Sequence, residues 1–156
     1  MRGQDNVFYL TNNIDKKKAA AGAIFLDSRC EPGFSGFNSI IYGHNMKSGA
    51  MFHDLIKFEA EDFWNANKSG WLFLPNTTYQ LSYFACMIVE DADPYVYGYL
   101  NAPRGDRGKF FDYIRRNALR YRDPGLEAGD SVLTLSTCSS EYAGARLVLI
   151  ASMREA

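Results

Sequence analysis

The chain reads as a mainly β, barrel-like fold with helices inserted between its strands. Three features predict this. Short runs rich in β-branched and aromatic residues recur along the whole length, aromatic residues make up 15% of the chain, and strands outnumber helices without the regular alternation of a doubly wound sheet. The 156 residues suit one domain with one core, with 47% apolar and 22% charged residues in a globular balance. No internal repeat, low-complexity tract or linker divides it, so residues 1–156 are expected to form a single domain.

The elements follow from local patterns. Residues 7–10 and 23–26 are short β-prone runs separated by a polar Asn/Asp/Lys connection, and 37–42 is a third that stops at Gly43. Over 50–58, Met51, Phe52, Leu55, Ile56 and Phe58 recur at helical spacing, and 59–67 predicts a second short helix carrying Phe63 and Trp64. Residues 71–74 and 77–89 read as strands around a Pro75–Asn76 turn, the second long enough to need a bulge or bend. The strongest helical pattern covers 106–121, with Phe110, Phe111, Ile114 and Ala118 as its stripe and Asp123, Pro124 and Gly125 as its stop. Strands at 131–137 and 145–153 close the chain, joined by a polar loop over 138–144.

Composition narrows the function classes. A net charge of −1 gives no general attraction to nucleic acid or to an anionic surface, and Lys16, Lys17 and Lys18 read as a solvated turn. No run of about 18 apolar residues could span a membrane. The opening MRGQDNVFYL lacks the basic and apolar regions of a signal peptide. Three cysteines without CxxC spacing cannot form a disulfide framework or a thiolate zinc site, so at least one thiol is free or pairs between chains.

Cys86, inside the apolar run LSYFACMIV, reads as a small buried hydrophobe. Cys30 reads as an incidental loop thiol, exposed or half packed. Cys138 ends the run VLTLSTC in small polar company, where partial exposure would suit a nucleophile. Of the two histidines, His53 reads as a surface residue beside Asp54. His44 follows a buried strand and a glycine in YGHNM, a position where scaffolds present reactive groups, although a loop histidine bonded to backbone is equally compatible. Arg146 opens the strand RLVLI; it could donate hydrogen bonds to a developing oxyanion or simply be a solvated edge residue.

Taken together, DNVFYL, GAIFLD, NSIIYGHNM with MFHDLIKF, and TLSTC followed by ARLVLIA resemble the class B sortases, cysteine transpeptidases of Gram-positive cell surfaces. The resemblance covers essentially the whole chain, and the helix over 106–121 falls where class B members insert a long helix. It implies a sortase-like β-barrel with His44 as catalytic histidine, Cys138 as nucleophile and Arg146 as catalytic arginine. Ser136 resembles a sorting-signal contact and oxyanion helper, and Tyr42 a residue lining the substrate groove. Tyr95 and Val96 fall in the loop where class B enzymes grip the peptide.

The chemistry so implied is thiolate attack on the threonine carbonyl of an NPxTx-like sorting signal. A thioacyl intermediate would then be resolved by an amine on peptidoglycan or a pilin. The resemblance implies no cofactor, no metal and an extracellular location at the Gram-positive membrane. Release to water by a thiol protease, and peptide binding without turnover, are the alternatives. Class B sortases carry an anchor, N-terminal helices and first barrel strands before the DNxYYL-like segment, whereas Met1 stands only a few residues ahead of it here. The expectation is therefore a barrel incomplete at its N-terminal strands, with an unpaired sheet edge, an incompletely covered core, and completion by another copy of the chain as one outcome.

Overall fold

A computed structural model describes residues 1–126, 130–138 and 143–156, Cys138 through its backbone alone. Its strands are β1 (Phe25–Leu26), β2 (Asn38–Tyr42), β3 (Ser69–Phe73), β4 (Thr78–Glu90), β5 (Arg120–Tyr121), β6 (Ser131–Cys138) and β7 (Ala145–Glu155). Its α-helices are α1 (Glu61–Ala66), α2 (Pro94–Gly98) and α3 (Arg107–Asn117). Among the described residues the strands form one sheet in the order β1-β2-β6-β7-β4-β3, with β5 also on β4. All pairings are antiparallel except β2 with β6, which run parallel.

Strand periodicity explains how both sheet faces are covered. In β7, Val148 and Ile150 enter a core with Phe84, Met87, Val96, Phe110 and Ile114. Leu147 and Leu149 alternate with them and join Leu55, Phe58, Trp64 and Cys86 on the opposite face. Thus α2 and α3 cover one side, while the 3-10 turn His53–Glu59 and α1 cover the other. A strand with neighbours on both edges and cover on both faces reads as a continuous apolar run, as 147–151 does. The bulge expected in the long strand lies between Tyr83 and Ala85 of β4.

The fold is mainly β as expected, and among the described residues the sheet is not closed: β1 ends one side and β3 the other. An isolated parallel bridge from Arg2 to Leu26 extends the β1 side. β3 is the last strand on its side among the described residues, and its Trp71 and Phe73 stand 54% and 73% exposed with their rings stacked.

Four local expectations are corrected. Residues 7–10 are no strand; Phe8–Leu10 is a 3-10 turn because the Asp5 carboxylate accepts from the Val7 and Phe8 amides at 2.8 Å each. Residues 50–58 curl as 3-10 rather than α-helix. The helix over 106–121 stops at Asn117, since Arg120 and Tyr121 pair with Cys86 and Ala85 of β4. Cys30 is buried, its sulfur accepting from the Ile40 amide at 3.4 Å.

Candidate active site

The parallel β2–β6 pairing brings the two ends of interest together. Tyr42 is level with Ser136, and the Gly43 amide donates to the Ser136 carbonyl at 3.1 Å. His44 follows directly and lines the same cleft as Ser136 and Thr137 of β6. On the other side of β6, Cys138 is the cross-strand partner of Arg146, which also pairs with Val89 of β4. His44, Ser136 and Arg146 all line one cleft of about 550 Å³, together with Tyr42, Tyr97 and Asp91 among others. The side chain of Cys138 lies outside the described residues.

His44 is half-buried and its Nε2 lies 2.7 Å from the Leu10 carbonyl. A carbonyl can only accept, so Nε2 carries the hydrogen and Nδ1 is left to exchange a proton with another group. The 3-10 turn Phe8–Leu10 presents that carbonyl, which places the Asp5 cap at the root of the histidine's orientation. Among the described residues, Arg146 has its Nη2 3.7 Å from Asp91 Oδ2, and its Nη1 donates to its own neighbour's carbonyl, Ala145, at 3.3 Å. With 29% of its side chain exposed, its guanidinium is accessible from the cleft.

Ser136 is buried and its hydroxyl shares a 2.9 Å hydrogen bond with the Tyr97 hydroxyl. Burial pushes the Tyr97 phenol up to about 12, so it remains neutral at physiological pH. Tyr42 stacks on Tyr97 with centroids 6.3 Å apart and donates to Asp27 Oδ2 at 2.8 Å. Burial, followed by the Asp27 charge, raises the Tyr42 phenol above its ordinary value. Burial opposes ionisation of Asp27, but bonds from the Arg29 side chain and amide, from Tyr42 and from Asn6 outweigh it and hold the carboxyl below its ordinary value.

Two expected substrate contacts fall elsewhere. Tyr95 and Val96 lie in α2, where Asp93 accepts from their amides at 3.0 and 2.8 Å and Pro94 starts the first turn. Val96 is fully buried in the core, and Tyr95 stacks between Tyr99 and Tyr113. Neither lines the cleft; α2 presents Pro94, Tyr97 and Gly98 there instead. The reason is the phase of this short helix, and the Asp93–Pro94 start signal was the clue to it. Asn6, Leu10, Asp27, Arg29, Asp91 and Tyr97 were not singled out from sequence, because only tertiary pairing gathers them.

A model of the sortase domain matches residues 4–154. The chain belongs to the sortase family. Its likenesses there are of class B, as the motifs implied. Sortase B of Listeria monocytogenes is 34% identical over 154 residues, covering 96% of this chain and 61% of that protein. The structure of Clostridium perfringens sortase B superposes with a TM-score of 0.90 at 30% identity, covering 99% of this chain and 85% of that one. A Staphylococcus aureus sortase B–substrate complex superposes with a TM-score of 0.88 at 26% identity, covering 99% and 72%. The chain thus spans about three fifths of the Listeria sortase it matches. Among the described residues, no helix is long and apolar enough to cross a membrane.

Proposed function

We propose that this class B sortase chain is a cysteine transpeptidase acting on a sorting-signal peptide at the surface of a Gram-positive cell. The observation that carries the reading is the strand register. Cys138 is paired with Arg146 across β6–β7, and His44, two residues past the Tyr42–Ser136 pair, lines the same cleft as Arg146. Membership of the sortase family and likeness to a sortase B–substrate complex support the peptide substrate.

In this reading Cys138 attacks the carbonyl of threonine in an NPxTx-like signal as a thiolate. His44, protonated near the thiol, favours that thiolate and then donates its proton to the departing amine. Arg146 supplies charge-assisted hydrogen bonds to the oxyanion or the peptide backbone, and Ser136 and Tyr42 shape the groove floor. The acyl group leaves on an amine of peptidoglycan or a pilin, which restores the thiol.

The test is an NPxTx-type peptide assayed with and without a primary amine acceptor. Amine-dependent ligation product is expected, with Cys138→Ala abolishing both cleavage and transfer. Cleavage whose products ignore the amine would replace the transpeptidase by a thiol protease. Binding of the peptide without any cleavage would leave a peptide-binding scaffold.

A further inference from the structure

The cleft contains a cation that the proposed chemistry does not use. Arg29 lies in the connection between β1 and β2, lines the cleft, and keeps 53% of its side chain exposed. Its Nε and Nη2 donate to the two oxygens of Asp27 at 3.0 and 2.8 Å. That fork fixes the guanidinium plane, because Asp27 is fully buried and cannot follow a moving partner. Asp27 also accepts from the Arg29 amide at 2.9 Å and from the Tyr42 hydroxyl, so its charge is spread over several donors inside the wall.

Nη1 of Arg29 is left without a hydrogen-bond partner among the described residues. An oriented guanidinium with one edge anchored and one edge open is a preorganised receptor for a planar monoanion. Sheet order sets it apart from Arg146: Arg29 belongs to the β1–β2 side, whereas Arg146 and its partner Asp91 lie on the β7–β4 side. Asp91 and Asp93 share the cleft and would repel a multiply charged ligand.

From this geometry we propose that Arg29 forms a carboxylate subsite of the cleft, binding a carboxylate of the sorting peptide or of the incoming amine acceptor. The proposal rests on the transpeptidase reading for the identity of the two ligands. Asp27 is the positioning residue that holds Arg29 in place.

Affinity is measured by calorimetric titration of the 156-residue chain carrying Cys138→Ala, which holds ligands without turnover. One pair of probes is NPxTx-type peptides with Glu or Gln at the x positions. The other is lysine peptides with a free or an amidated C-terminus, each offering the same amine. An acid-over-amide preference of about ten- to a hundredfold is expected in one pair, and which pair shows it identifies the source of the carboxylate. Arg29→Gln should collapse that ratio towards one. The Asp27→Asn/Arg29→Gln double variant removes the buried unpaired charge and should behave alike if the single variant folds poorly.

Equal affinity for acid and amide in both pairs, or a preference that survives loss of Arg29, overturns the subsite. Absence of amine-dependent product from the parent chain would instead sink the transpeptidase reading, and these affinities would still decide the subsite alone.

Discussion

At the scale of single residues, the cleft is organised by buried polar groups that answer one another. Ser136 and Tyr97 share one hydrogen bond inside the wall. Tyr97→Phe leaves the Ser136 hydroxyl buried without its partner, at a cost of about 1–3 kcal/mol. The expected result is a melting temperature lowered by roughly 2–4 °C per kcal/mol for a chain of this size, measured by thermal unfolding. Asp27 carries a pH signature. Its folded-state carboxyl sits below the ordinary value of 3.8, so its stabilisation is complete above that value and fades as pH falls through the lower folded value. Asp27→Asn should therefore be clearly less stable than the parent in urea at pH 7, with the gap narrowing below about pH 4. A gap independent of pH would show that the carboxylate charge is not what stabilises.

At the scale of elements, short segments position the chemistry and long ones supply the rigidity. Gly22 adopts φ +57, and a Cβ there would lie 2.7 Å from the Leu10 carbonyl that orients His44. Gly22→Ala should cost more than about 1 kcal/mol and also lower amine-dependent transfer by displacing that carbonyl. Gly33→Ala, which meets nothing within 4 Å, is the control expected to change neither unfolding nor turnover. The helix α3 contributes packing: Phe110 and Ile114 are fully buried against the sheet. Ile114→Ala should destabilise by about 2–5 kcal/mol, read from denaturant midpoints. Activity per folded molecule should persist, since α3 holds the core and lines no part of the cleft.

At the scale of the whole molecule, an open sheet exposes β3 with its stacked Trp71 and Phe73. An exposed apolar pair on an end strand promotes association, so sedimentation velocity should show mass rising with concentration, reduced by Phe73→Lys. A concentration-independent monomer would refute this. The same open architecture explains what could be read in advance. The strand around Leu147–Ala151 was legible because burial on both faces leaves an unbroken apolar run. The turn at Phe8–Leu10 was not, because one Asp5 side chain redirects a β-prone run. The end of α3 was not either, because pairing of β5 with β4 competes with helix propensity only once the sheet exists.

The β-rich class was legible in the sequence because apolar runs are local properties, and the class B motifs nominated His44, Cys138 and Arg146 as site candidates. That β2 runs parallel to β6 and that β7 sets Arg146 opposite Cys138 came from tertiary pairing. Tertiary structure likewise turned Tyr97 rather than Val96 towards the cleft and anchored Arg29 on a buried Asp27. Strand order and helix phase depend on contacts between residues far apart in the chain, and no local pattern encodes those contacts.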